Sequence, residues 1–499
     1  MMRCLFPRGN RRPRRFLTGT LLLSLFVSSL WAETVITDQK PWWRHPAAEM
    51  NDEPSTITEP PQPHFDPRDY GAKGDGQSYD TAALQKAIDA CSGTGGSVIL
   101  SSGKFVSAQL TLRRNMTFLI AKDAVLLGGT NPLDYPDLAP RGSTVCYRRS
   151  LLYADHADGL IIDGEGVIDG RGGEIPMYGV ETKRPSLLRI FNSNDVVVRN
   201  VTMKNTRMWT QVYTDCRRLL IDHVTVRCPF YDVYRPSCGF ANFDGMDICD
   251  CSDVIIRNCD AESEDDTICL KSQNESGLSN ILIQNNRVTS LRANAIKFGT
   301  SSVGPLSNVR ILDNTVRGAK YGGLCIESVD GSKVSDVLVR GLDMHRVSQP
   351  IFIRVGKRAN TRPAGSIDGV VIERVRALDP VSLTKPSCSI TGTPSAPVGE
   401  VRLKDCYIEM PGGLQKTPAQ PKENDAGYPH SNIFGDTTAW GIFVRHAAHV
   451  VLENVSIGRI RPDARPCFAA IDAKMERIHC HDLGQIAPLP SDHPPINPR

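Results

Sequence analysis

Along most of the chain the apolar residues fall in short triplets, each led by a polar residue and often followed by Asn or Asp. Asp195-Val-Val-Val-Arg-Asn200, Asp253-Val-Ile-Ile-Arg-Asn258, Asn280-Ile-Leu-Ile-Gln-Asn285 and Asn308-Val-Arg-Ile-Leu-Asp313 are the clearest copies. Weaker ones begin at Arg218, Asp336, Gly369, Glu400 and His449. The copies at 253, 280, 308 and 336 are spaced by 27, 28 and 28 residues. A regular period of this size with β-branched triplets marks a solenoid. No heptads and no helical stretches separate the triplets, so each turn must be strands joined by short bends. The pattern predicts an all-β chain folded as a single-stranded, right-handed parallel β-helix, its coils about 4.8 Å apart. Val, Ile and Leu should fill the interior. The recurring Asn should ladder at a bend and bond backbone groups of neighbouring coils. A leucine-rich repeat has a similar period but needs L-x-x-L-x-L, which the chain lacks.

The two ends of the repeat read differently. Phe65 to Gly76 is a strand followed by a Gly-rich loop. Asp80 should cap a helix with Ala83, Leu84, Ala87, Ile88 and Cys91 on one face. Gly93-Thr-Gly-Gly96 ends it, and Ser97 to Ser101 is the next strand. The loop has neither the Lys-Ser/Thr of a phosphate cradle nor the spacing of a dinucleotide fingerprint. It is expected to be part of an N-terminal helical cap. Residues 411–437 interrupt the rhythm as a long loop, and Trp440 to His446 restarts it.

The N-terminus changes the reading of charge and location. Six arginines (Arg3, Arg8, Arg11, Arg12, Arg14, Arg15) precede the apolar run Phe16 to Leu30, with Ala32 as a small residue at a cleavage point. This is an export signal. Arg14-Arg15-Phe16-Leu17 is an imperfect twin-arginine run. An uncleaved anchor is the alternative, but the run is short for a membrane span. The expected organisation is signal 1–32, Pro-rich linker 33–63, β-helix 64–486 and loose tail 487–499. A secreted or periplasmic location follows, with no membrane span after signal cleavage. Without the signal, 52 basic residues face 55 acidic ones, so the net charge moves from +3 to −3. The basic balance therefore gives no argument for nucleic acid. Fourteen of the fifteen cysteines lie beyond the signal. Export permits disulfides, and strand positions such as Cys228, Cys259, Cys269, Cys325 and Cys406 suit buried thiols equally. Cys249-Asp-Cys251 is too tight for a usual zinc site.

Candidate chemistry concentrates between Asn242 and Ser272. Asp244, Asp247 and Asp250 precede the apolar triplet Val254 to Ile256, and Glu262, Glu264, Asp265 and Asp266 follow it. Crowded carboxylates repel, and some must have raised pKa values. Metal binding and acid/base catalysis are the two uses of such a cluster. Asp244 and Asp265 are 21 residues apart, close to one coil, so they can meet across adjacent coils. Asp266 joins them only if the chain bends there. Otherwise one carboxylate is buried and needs a cation such as Lys271 or Lys297.

This stretch resembles family 28 of the glycoside hydrolases, the polygalacturonase and rhamnogalacturonase family. The family's Asn-Thr-Asp and Gly-Asp-Asp read here Asn242-Phe243-Asp244 and Glu264-Asp265-Asp266. Trp209 and the coil before it also fit, and the resemblance runs over roughly residues 65–480. It implies a pectin-like polysaccharide or oligosaccharide as substrate and hydrolysis with inversion. Asp265 would be the general acid, and Asp244 and Asp266 the pair that activates water. Acid and base should then stand about 6.5–9.5 Å apart. Two motifs are changed. Gly-His-Gly becomes Ala293-Asn294-Ala295, and Arg-Ile-Lys becomes Cys325-Ile326-Glu327. A Glu at that Lys position would repel a substrate carboxylate. Asn294, Lys297, Glu327 and Arg354 are the candidate substrate-binding residues, with Lys297 and Arg354 supplying charge from other coils. Trp209 reads as core rather than sugar platform, Asp247 as a bend residue, and Arg445-His446 as a turn. No cofactor and no metal is expected, and the chain is expected to be a monomer. A calcium-dependent lyase and a non-catalytic carbohydrate-binding β-helix are the alternatives.

Overall fold

The computed structural model describes residues 59–136, 149–175, 184–228, 242–358, 362–381 and 385–487. The expected signal, most of the linker, Cys4, Cys146, Cys238 and nearly all of the tail lie outside the described residues.

Each coil around the acidic stretch consists of three strands. Gln211–Thr214, Arg217–Asp222 and Thr225–Arg227 are followed by Met246–Cys249, Ser252–Arg257 and Asp260–Ser263, then by Ile268–Lys271, Leu278–Gln284 and Arg287–Ser290. Every one of these strands pairs in parallel with its counterpart one coil on. The chain is a right-handed parallel β-helix.

The triplets explain why the coils stack in register. Leu219, Val254, Ile281, Val309, Val337, Val370, Val401 and Val450 form one column, in which no member is more than 1% exposed. Burying each such side chain stabilises by about 1.5–3 kcal/mol. A slip of one residue would turn the whole column out to water.

The polar residue that opens each triplet sits at the bend. Asp195, Asp253, Asn280, Asn308 and Asp336 have φ between 52° and 62°. That left-handed conformation is one that Asn and Asp tolerate. Their side chains ladder to one another: Asn280 Nδ2 donates to Asp253 Oδ1 at 2.8 Å, and Asn308 Nδ2 to Asn280 Oδ1 at 2.9 Å. The expected side-chain-to-backbone ladder is present at a different bend. Asn286 Nδ2 donates to the Ile256 carbonyl at 3.0 Å, and Asn314 Nδ2 to the Ile283 carbonyl at 2.9 Å.

The N-terminal helix is Thr81–Cys91, with Ala83, Leu84, Ala87, Ile88 and Cys91 buried. Asp80 takes the N-cap position, but its carboxylate does not cap the helix. It accepts from the Lys73 and Gly74 amides at 2.7 and 3.0 Å and so holds the Gly-rich loop. The twelve described cysteines are all free thiols, eleven of them buried. The strand Val398–Gly412 gives way to an irregular segment before Ile442–Arg461, where the rhythm resumes. Among the described residues, no helix is long and apolar enough to cross a membrane.

Candidate active site

The acidic stretch winds through a full coil, and its two ends share one sheet. Asp247, Cys269, Lys297, Cys325 and Phe352 stand in register on five successive coils. Asp244 and Asp266 lie two residues before the strands Met246–Cys249 and Ile268–Lys271, whose first residues pair. They therefore occupy equivalent places in consecutive coils. Close approach of those coils requires Gly245, because a Cβ there would stand 2.5 Å from the Thr267 carbonyl oxygen.

Glu264 and Asp265 sit in a bend, as the sequence required, and Ser263 and Ser290 fix it by donating to the Asp265 carbonyl at 2.9 and 2.7 Å. The cationic partner is present as well: Lys297 Nζ lies 3.0 Å from Asp266 Oδ2. A carboxylate oxygen from each of Asp244, Asp265 and Asp266 lies within 4.8 Å of the others. Three aspartates from neighbouring rungs thus converge at one point. The spacing is tighter than the separation of about 6.5–9.5 Å expected between acid and base of an inverting enzyme.

Electrostatics divides the three. Burial, then the charge of Asp266, pushes Asp265 up to about 7. Burial and the charges of Asp247 and Asp265 drive Asp244 well above the carboxylate range. Its Oδ1 has no hydrogen-bond partner. For Asp266 burial acts the same way, but Lys297 and then Lys271 outweigh it and hold the pKa below the ordinary value. Asn294 Nδ2 donates to Asp266 Oδ1 at 2.7 Å, and its own Oδ1 accepts from the Gly322 amide at 3.0 Å. Asn294 is thereby placed beside the cluster as a support for Asp266.

Other expected residues are placed differently. Asp247 is not at a bend. It lies within Met246–Cys249, fully buried, and forms a short ion pair with Lys271. Trp209 is not core: it is partly exposed, with Lys271 Nζ 4.5 Å from its ring centroid. Its place just before a strand left the alternation undecided, whereas the Lys271 contact puts it beside the aspartate cluster. Lys297, Glu327 and Arg354 do not share one column. Glu327 pairs with Arg354 two residues further along the strands, and Lys297 reaches Glu327 diagonally at 4.0 Å.

Glu327 is 1% exposed, and neither of its oxygens has a hydrogen-bond partner. Burial raises it to about 8 against the pull of Lys297. That shift favours its protonated form near neutrality and weakens the expected charge repulsion. Arg354 is not available to a ligand. It donates to the carbonyls of Gly392, Glu423 and Asn424 at 3.0, 3.3 and 3.3 Å and lies 4.8 Å from the Phe434 ring. Arg445 grips the same loop through the carbonyls of Pro421 and Lys422 at 2.7 and 3.3 Å. Arg445 and His446 are not at a turn: both lie within the strand Ile442–Arg461, His446 with a positive φ of 49°. This loop brings in residues that sequence reasoning missed. Tyr428 stands over Lys297 at 5.5 Å, and the His430 ring lies 4.6 Å from that of Tyr428.

Three carboxylates this close are also a candidate cation site. Lys271 Nζ, 3.9 Å from Asp244, and Lys297 Nζ, 3.0 Å from Asp266, already neutralise them. Two fixed ammonium groups oppose a divalent ion at that point.

Residues 119–423, more than half of the chain, match the family model for glycosyl hydrolases family 28. The chain belongs to this family. Residues 65–124 match a second model, rhamnogalacturonase A/epimerase, pectate lyase-like. Over 379 residues the family 28 chain is 26% identical to a probable polygalacturonase of Vitis vinifera, covering 70% of this chain and 75% of the relative. It is 26% identical over 381 residues to an exopolygalacturonase of Zea mays, covering 71% and 86%. The fold is similar to that of the family 28 exopolygalacturonase of Yersinia enterocolitica, with a TM-score of 0.65 at 17% identity over 84% of this chain and 78% of that one. As a member of family 28 the protein is a glycoside hydrolase.

Proposed function

We propose that this family 28 hydrolase cleaves a pectic chain with Asp265 as general acid and Asp266 as the base. The observation that carries this reading is that two adjacent aspartates are driven in opposite directions. Asp265, raised to about 7, keeps its proton near neutrality, whereas Asp266 is held ionised. Such a split is what acid and base catalysis on one bond needs. Asp265 gives its proton to the glycosidic oxygen as the C–O bond breaks. A water attacks the anomeric carbon and passes a proton to Asp266. Asp244, driven upward by burial and by the charges of Asp247 and Asp265, orients that water by hydrogen bonding rather than sharing the base role. Both oxygens of Asp266 are engaged, by Asn294 and by Lys297. That favours water over the carboxylate itself as nucleophile, and therefore inversion, despite the close spacing. The first-formed anomer, read by proton NMR, decides between them.

A pectic substrate is supported by the relatives named polygalacturonases. Trp209, partly exposed beside Lys271, is positioned to stack against a sugar ring. Export of the chain rests on the arginine-led apolar run of residues 1–32, and the N-terminal sequence of the mature protein tests it. The direct test of the mechanism is Asp265→Asn. It is expected to fold normally, by circular dichroism, and to lose about 10²–10⁴ in kcat, the usual contribution of a general acid. Full turnover in that variant removes the assignment.

A further inference from the structure

Glu264 stands where the family motif has a glycine, immediately before the acid Asp265. Its side chain is 2% exposed, so it reaches no ligand, yet it is built into both neighbouring coils. Asn242, Glu264 and Arg292 each lie four residues before the strands that begin at Met246, Ile268 and Ile296, whose first residues pair. Towards the preceding coil, the Glu264 carboxylate accepts from the Phe243 amide, and the Asp265 amide donates to the Phe243 carbonyl at 3.4 Å. Towards the following coil, Glu264 Oε1 lies 3.2 Å from Arg292 Nη1. Oε2 is buried without a hydrogen-bond partner. Burying a carboxylate where a hydrogen atom would serve is destabilising unless the charge is paired.

We propose that Glu264 is a positioning residue that holds the Arg292 guanidinium away from Asp265. The inference rests on the hydrolase reading of the same site and adds the device that guards its acid. Asp265 is faced by Glu264 and Asp266 on its own bend, by Asp244 from the preceding coil and by Lys297 from the following one. Glu264 is faced by Arg292 and by Arg184, whose Nη2 donates to Asn242 Oδ1 at 3.1 Å. Without the Glu264 carboxylate, the next acid along the bend for Arg292 is Asp265. A guanidinium there would favour the ionised form and strip the acid of its proton. Glu264 opposes this in two ways. It takes Arg292 into an ion pair, and its own charge adds to the rise of Asp265, after burial and the charge of Asp266 and against Lys297. Burial raises Glu264 too, and Arg292 is the largest pull the other way, so the pairing favours its charged form.

The test reads the Asp265 carboxyl directly, by carbon-13 NMR titration of the folded protein, alongside the pH profile of kcat/KM. Glu264→Gln keeps an acceptor for the Phe243 amide but drops the charge. Asp265 is expected to titrate about one pH unit or more lower than in the unsubstituted protein. The basic limb of kcat/KM should follow, a loss of about tenfold on that limb. KM should stay within about twofold, since Glu264 touches no substrate. Adding Arg292→Met to Glu264→Gln should return both the titration and the limb to their wild-type positions. Glu264→Gly, which restores the residue of the family motif, serves as the second route if the Gln protein fails to fold by circular dichroism. An unmoved Asp265 titration in the folded variant, or a downward shift that Arg292→Met does not reverse, would overturn the proposal. A titration that moves as expected while the pH profile stays put supports the role of Glu264 and counts instead against Asp265 as the acid.

Discussion

Asp244 and Asp266 occupy equivalent positions in successive coils, each two residues before a strand on the same sheet. Each is buried and each has a lysine nearby, yet the first is driven well above the carboxylate range and the second held below its ordinary value. The difference lies in where the lysine is committed. Lys271 is drawn to Asp247, a second buried carboxylate, and stays 3.9 Å from Asp244. Lys297 contacts Asp266 at 3.0 Å, while its other acidic neighbour, Glu327, is pushed up to about 8 by burial and stands off at 4.0 Å. Geometry repeats along a solenoid, but protonation does not. It is set by which acid competes for each ammonium group.

The largest effect should come from Lys297→Met, which removes the group that keeps Asp266 ionised. kcat is expected to fall by about 10²-fold or more, and the acid limb of the pH profile should move upward as the Asp266 pKa rises. Lys271→Met breaks the other pair and leaves Asp247 buried without its ammonium partner. Loss of one partner of a buried pair costs about 3–5 kcal/mol, so denaturant unfolding should show a marked loss of stability.

Glu327→Gln sharpens the contrast through pH. The folded-state pKa of Glu327 is raised from 4.5 to about 8. Its favourable contribution is complete below about 4.5 and is lost as pH rises through 8. The wild-type protein should therefore lose stability between pH 5 and 9 by on the order of 1–4 kcal/mol more than the variant, read from unfolding at several pH values. The smallest effect concerns activity in the unmodified enzyme. Asp265 loses its proton near 7, so kcat/KM should decline gradually above that pH.

The sequence made the solenoid readable because the triplets repeat with one period and their inward residues must all be apolar. The column from Leu219 to Val450 is that pattern in space. It also brought Asp244, Asp265 and Asp266 together, since one coil of separation fixes neighbours. It could not place Arg354 or Tyr428. Arg354 turns from the groove to a loop that lies 69 and 70 residues away in sequence at Glu423 and Asn424. Tyr428 reaches Lys297 only because that loop folds back, and no periodicity governs a loop. Asp247 departs from the expected bend for a related reason: the register sets Lys271 two positions beyond Cys269, its direct partner, and the long side chain reaches back.

Site-resolved titration of the aspartate side-chain carboxyls by carbon-13 NMR, assigned with Asp265→Asn and Asp266→Asn, tests this assignment most directly. Asp266 should titrate below the ordinary carboxylate range and Asp265 near 7. Two carboxyls titrating together around pH 4 would contradict the division into acid and base.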